Sequence, residues 1–249
     1  MNVMIFDTET TDLNKPFCYN IGYIIYATDE KKVLVKREFI VDQIWYNLPL
    51  FCTAYYAEKR PLYVSAMKGK KAALAKLGHI TQKMSADIRR FEVECAYAFN
   101  SSFDEKVFSF NCDYFKVKNP FDTIPIFDIR GLAHEFLCGS PYFAFCEAHE
   151  LFTDSGNYSS TAEAIYRFLK DDNSFEEAHT ALADSEIETE ILQACLDNGA
   201  ELGKEYQARF SLPRKVLKTL TIWKDKAPLV SFDCYGVTVS KDKTKITLK

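Results

Sequence analysis

The chain has 249 residues, 47% of them hydrophobic and 27% charged, which bounds one sizeable folded domain with room for an appendage. No apolar stretch approaches the length that spans a bilayer, and residues 1–6 lack the basic flank of a secretion signal and meet Asp7 early, so a soluble, cytoplasmic protein with no membrane partner is expected. The net charge of −4 hides an asymmetry: residues 56–90 carry nine basic and two acidic side chains, residues 91–205 seven and twenty-three, and residues 206–249 ten and three, a distribution suited to a carboxylate-lined site with separate surfaces for a polyanion.

Residues 3–7 read as a strand apolar on both faces, hence central in a sheet. Residues 19–27 and 33–41 are two further strands joined by the polar turn 28–32, an antiparallel hairpin. Residues 44–69 read as irregular and aromatic-rich, with Trp45, Phe51, Tyr55, Tyr56 and Tyr63. The spacing of Ala73, Leu74, Leu77, Ile80, Met84 and Ile88 predicts a helix over 70–91. A strand over 94–99 and a short helix over 102–110, capped by Ser102, follow. Next come a strand over 124–129 and helices over 130–137, 160–169 and 183–198, the last stopped at Gly199. A basic linker with Pro213 leads to three strand-like pieces at 229–232, 236–239 and 245–248. The order predicts a mixed α/β sheet flanked by helices. The eight cysteines, Cys18, Cys52, Cys95, Cys112, Cys138, Cys146, Cys195 and Cys234, form no C-x-x-C pair, so reduced, packed thiols are expected and a zinc site is not.

Three short blocks carry chemistry. In a strand, alternate side chains share a face, so Asp7 and Glu9 point the same way at the carboxyl end of the central strand, where open α/β sheets place ligands. Asp104 shares a helical face with Val107 and Phe108, and Asp184 shares one with Ile187, Ile191 and Cys195. A carboxylate on a buried helix face is costly unless it is paired or bound to metal, so these acids and the Asp7–Glu9 pair point to a shared metal site. His179 lies five residues before Asp184, roughly 140° away on an ideal helix. For both to serve one site, the chain at His179 must be a loop or a distorted turn. An imidazole there can act as a general base. His79, His134 and His149 have no such company and read as structural.

The blocks Asp7-Thr8-Glu9, Asn100-Ser101-Ser102-Phe103-Asp104 and His179-Thr180-Ala181-Leu182-Ala183-Asp184 resemble the three exonuclease motifs of the DEDDh branch of the DEDD superfamily. That branch includes proofreading subunits, RNase T, oligoribonuclease and DNA 3′-repair exonucleases. The resemblance covers residues 1 to about 200. It implies an RNase H-like fold, here with a five-stranded sheet and a small β-containing extension, divided into an exonuclease domain over 1–203, with an insertion at about 42–90, and a tail over 204–249. It further implies metal-dependent 3′→5′ removal of nucleotides from single-stranded DNA or RNA ends, DNA slightly favoured. Asp7, Glu9 and Asp184 would hold one Mg²⁺ or Mn²⁺, and Asp7 with Asp104 a second. His179 would be the base, with Thr8, Thr10, Leu13, Asn100 and Phe103 contacting substrate. A homodimer and a polymerase or replication partner are within the same expectation.

Two departures stand out. Asp12 stands where glycine often follows D-x-E-T-T, adding charge beside Leu13, whose position matches an apolar wedge against the terminal base. The insertion brings Lys68, Lys70, Lys71, Lys76, Lys83, Arg89 and Arg90, able to track a backbone, and aromatics able to stack bases, though most of those read as core. A compact stand-alone exonuclease of this kind suits a phage or other mobile element. The rival from another class, a non-catalytic nucleic-acid-binding protein, would be expected to lack at least one of the five residues, and all five are present.

Overall fold

The computed structural model describes residues 1–209 and 211–214 in full and, beyond them, the backbone of 218–224, 227–234, 237–239 and 246–248. The chain forms two compact units, Met1–Leu151 with Ser160–Phe210, and Phe152–Ser159 with Ser211–Lys249.

The first unit is built on a mixed sheet. Strand β1 (Asn2–Thr10) pairs antiparallel with β2 (Cys18–Ala27), and β2 antiparallel with β3 (Lys32–Val41), forming the expected hairpin. Val3, Met4, Ile5 and Phe6 are all fully buried, as a central strand requires. After β3 the segment expected to be irregular is instead a set of short helical turns: α1 (Asp42–Trp45), α2 (Leu48–Phe51), a 3₁₀ turn (Ala57–Lys59) and α3 (Arg60–Lys68). Pro49 and Pro61 start α2 and α3, where the missing amide costs nothing. Trp45, Phe51 and Tyr63 are buried, with Trp45 in edge-to-face contact with each of the other two.

A strand, β4 (Ala73–Ala75), interrupts the helix expected over 70–91, which is reduced to α4 (Leu77–Arg90). β4 runs parallel to β3 as a sixth, edge strand, so the sheet has one strand more than expected; its order is β4-β3-β2-β1-β5-β6. Ala73 and Leu74 have helical spacing, but the open edge of β3 overrides so weak a local preference. Strand β5 (Val93–Ala98) runs parallel to β1, and β6 (Ile126–Asp128) parallel to β5.

Helix α5 (Ser101–Phe115) begins earlier and runs longer than expected, and its cap is Asn100, not Ser102. Asn100 sits in the left-handed region at φ 63°, which Asn tolerates, and its N–H donates to Asp128 Oδ1 at 2.9 Å. The same oxygen accepts from the Arg130 N–H at 2.8 Å and so also caps α6 (Ile129–Phe136). Helix α7 (Ser140–Ala148) was not expected; its SPYFAFCEA sequence has no polar face for a periodicity to mark. Helices α8 (Ala162–Lys170) and α9 (Ala181–Asp197) follow, and Gly199 takes φ 94° just past α9.

Asp87 of α4 fastens that helix to the hairpin, accepting from Tyr23 Oη at 2.9 Å, Arg37 Nε at 2.6 Å and Lys83 Nζ at 2.9 Å. Burial alone would raise its pKa; these donors outweigh it and hold the carboxyl below its ordinary value.

In the second unit, Phe152 and Leu212 each bridge to Tyr158. Beyond Pro213, β8 (Ala227–Cys234), β9 (Val237–Val239) and β10 (Ile246–Leu248) fall on the three expected strand-like pieces, while β7 (Lys218–Lys224) lies in the stretch read as a linker; β7 pairs antiparallel with β8, and β9 with β10. Cys234 lies outside the residues whose side chains are described. The other seven cysteines are free, and all but Cys52 are buried. Among the described residues no helix is long and apolar enough to cross a membrane.

Candidate active site

The site forms where α9 starts across the end of the β1–β2 pair. Asp7 lies opposite Gly22, and Glu9 opposite Asn20. A Cβ on Gly22 would come within 2.2 Å of the Ala181 carbonyl carbon, so only glycine lets the first turn of α9 lie directly on β2. Buried Asn20 then fixes the helix start: its Oδ1 accepts from Ala181 N–H at 2.9 Å, while its Nδ2 donates to Phe39 O at 3.0 Å. Ser185 Oγ adds a bond to Gly22 O at 3.3 Å. Asp184, one turn into α9, is thereby delivered to β1. Asp7, Glu9 and Asp184 each present an oxygen within 4.8 Å of the other two.

Asp104 reaches the same neighbourhood from α5. It is buried, and its Oδ1 accepts from Thr8 Oγ1 at 2.6 Å. Thr8, expected to touch substrate, therefore spends its hydroxyl on orienting Asp104. Burial raises the Asp104 pKa to about 7, against the bonds from Thr8 and with help from Asp128. Burial likewise raises Glu9 to about 9, Asp184 adding to it and Lys59 opposing, and Asp184 to about 9, with Asp7 the largest charge contribution. Asp7 is raised well above the carboxylate range by burial, then by Asp104, Glu9 and Glu177.

His179 sits just before α9 in the left-handed region at φ 49°, off the helix as the five-residue spacing required. Its backbone N–H lowers the Asp184 pKa against burial, and its Nδ1 lies 3.5 Å from Glu177 Oε2. Burial, then Lys59, lowers its pKa below 6.5. Its loop is tied to α8: Glu163 accepts from Glu177 N–H at 3.0 Å, and Arg167 Nε donates to Phe175 O at 2.7 Å. Glu163, Glu177 and His179 also present donor atoms within 4.8 Å of one another.

Four participants were not singled out from the sequence. Tyr56 of the insertion stacks on the His179 ring, centroids 4.6 Å apart and planes at 12°. Lys59 lies over Tyr56 at 4.3 Å and donates to Ala178 O at 2.7 Å. Nothing in a 120-residue separation announces these contacts. Glu177 had no periodicity to mark it. Glu188, buried on α9, could have been found by the reasoning that found Asp184, since it lies four residues further along the same helix face. Of the remaining expected residues, Thr10 ends β1, Leu13 is 80% exposed, and Phe103 packs partly buried against the core. Asp12 Oδ1 accepts from the N–H groups of Asn14 and Lys15, closing the turn that presents Leu13. His134, read as structural, is buried with its Nδ1 accepting from Arg209 N–H.

The donor set fits a divalent cation. All the ligating atoms are carboxylate oxygens, which suit Mg²⁺ or Mn²⁺. Asp184 Oδ1 is buried without a hydrogen-bond partner among the described residues, and so is Glu188 Oε2. Without a cation, the folded protein retains protons on these acids that unfolded carboxylates release near pH 4. The folded state then binds more protons than the unfolded one, so stability is present at low pH and lost as pH rises through about 9. The expected result in EDTA is a melting temperature that falls from pH 5 to pH 9, a fall that millimolar Mg²⁺ removes. A melting temperature in EDTA that rises across this range would contradict the placement of the acids.

No protein-family model matches the chain, and no curated protein sequence matches it. Solved structures do. The nuclease domain of 3′hExo, a DEDDh family member, bound to rAMP, has TM-score 0.54 and 14% identity, covering 83% of this chain and 97% of that one. A 3′-exonuclease described by its 3′-end specific recognition of histone mRNA stem-loop has TM-score 0.55 and 12% identity, covering 80% and 83%. A full-length 3′-exonuclease has TM-score 0.53 and 15% identity, covering 81% of this chain and 62% of that one. The chain has the mixed α/β, RNase H-like fold of these nucleases. In particular, it has the fold of a DEDDh 3′-exonuclease domain.

Proposed function

We propose that the protein is a metal-dependent 3′→5′ exonuclease that hydrolyses phosphodiester bonds at single-stranded nucleic-acid 3′ ends. The observation that carries this reading is the convergence of Asp7, Glu9 and Asp184 within 4.8 Å, with His179 off the helix beside them. Asp7, Glu9 and Asp184 would hold one divalent cation, and Asp7 with Asp104 a second. When bound, such a pair stabilises the charge that develops on the attacking and leaving oxygens.

The protein's own groups supply the rest. His179, neutral at pH 7, accepts a proton from the attacking water as its oxygen bonds to phosphorus. The P–O3′ bond breaks, O3′ leaves as a hydroxyl with a proton from solvent, and a nucleoside 5′-monophosphate is released. Tyr56 holds the imidazole plane, and Thr8 holds Asp104. Leu13, exposed on its turn, would meet the terminal base.

RNA is favoured over the DNA slightly preferred from the sequence by one observation: the similar structures of TM-score above 0.5 that name a nucleic acid or nucleotide name rAMP and histone mRNA. The test is incubation of 5′-labelled single-stranded DNA and RNA with Mg²⁺, Mn²⁺ or EDTA. A ladder shortening from the 3′ end, present with metal and absent with EDTA, is expected, and the relative rates decide between the sugars. Intact substrate of both kinds with either metal would overturn the proposal.

A further inference from the structure

Resting on that metal-dependent reading, we propose that Glu188 is a fifth carboxylate of the metal centre, its open Oε2 taking part in divalent-cation binding on the Asp7–Asp104 side. Glu188 lies one turn after Asp184 on α9, about 40° round the helix, so both acids leave it toward β1. Its exposure is 3%. The backbone N–H of Phe99, in the turn that leads to Asp104, eases the burial of its carboxylate, yet Oε2 has no partner among the described residues. Of the neighbouring charges, Asp7, then Asp104, then Asp184 act most on it, as expected of a group near the strand end rather than deep in the apolar core.

A buried acid with an unpaired oxygen is a cost that an apolar side chain would avoid. Ile187, Ile191 and Leu192, apolar neighbours on α9, show that such side chains pack there. A cation facing Oε2 removes the cost and makes the acid useful.

Mn²⁺ binding to the full chain, stripped with EDTA and followed by calorimetry and electron paramagnetic resonance, tests this. Glu188→Gln keeps the size and an acceptor for Phe99 but removes the charge. It is expected to bind one Mn²⁺ equivalent about 10–100-fold more weakly than the wild type while retaining the other. Its melting temperature without metal should equal or exceed that of the wild type. Should Gln not fold, Glu188→Met gives the same reading. A variant that binds both equivalents like the wild type overturns this inference alone, whether or not its metal-free stability changes. A wild-type chain that binds no Mn²⁺ overturns both this inference and the metal-dependent exonuclease reading.

Discussion

Asp7→Asn is expected to reduce cleavage of a labelled single strand by about three orders of magnitude or more, each 1.36 kcal/mol of lost transition-state stabilisation being tenfold in rate. Asp7 is the acid the others surround. Its charge raises Asp184 more than any other neighbour's and heads the charges acting on Glu188, while Asp104, Glu9 and Glu177 act on it in turn. Replacing it with an amide of the same shape removes the shared member of both expected cation sites. It also removes a source of repulsion, so the metal-free variant should melt at or above the wild-type temperature in EDTA near pH 8. Loss of cleavage with the fold intact is therefore the expected pair of results. Cleavage within tenfold of the wild type would remove Asp7 from the mechanism, and a collapsed melting transition would mark it as structural.

His179→Ala is expected to slow cleavage by roughly 10²–10⁴-fold, the usual contribution of a positioned general base. The imidazole is held by stacking on Tyr56 and by the left-handed turn that takes it off the helix. Its pKa is depressed by burial and by Lys59, so the base form predominates at neutral pH. The wild-type rate should rise as pH increases through the region below 6.5 and then level. The variant should lose that rising limb while binding Mn²⁺ as before. An unchanged rate would exclude His179 as the base, and an unchanged pH profile at a reduced rate would reassign the limb to another group.

Much of the site was legible because strand and helix periods turn spacing into direction. Asp7-x-Glu9 on an apolar strand, and Asp104 and Asp184 on apolar helix stripes, are local patterns, and each resolved as read. The inward-facing Glu188 obeys the same period and was passed over only because the stripe was counted by its apolar members. Tyr56 and Lys59 are different. They belong to a segment read as irregular, and they meet His179 across more than a hundred residues of chain. The edge strand β4 was illegible for a related reason: three residues with helical spacing became a strand only because β3 offered unpaired backbone.

By itself, then, the sequence determined the central β1 and its β2–β3 hairpin, the inward direction of Asp7, Glu9, Asp104 and Asp184, and the need for His179 to leave the helix. Those follow from periodicities and burial costs that act within a dozen residues. The tertiary structure alone decided which acids share a site, what holds the histidine, and how closely α9 can approach the sheet. These depend on contacts between distant segments: the missing side chain of Gly22 beneath Ala181, the clamp of Asn20, and the ring of Tyr56 on His179. No local pattern encodes such contacts, because each requires two pieces of chain to be placed before either side chain has a partner.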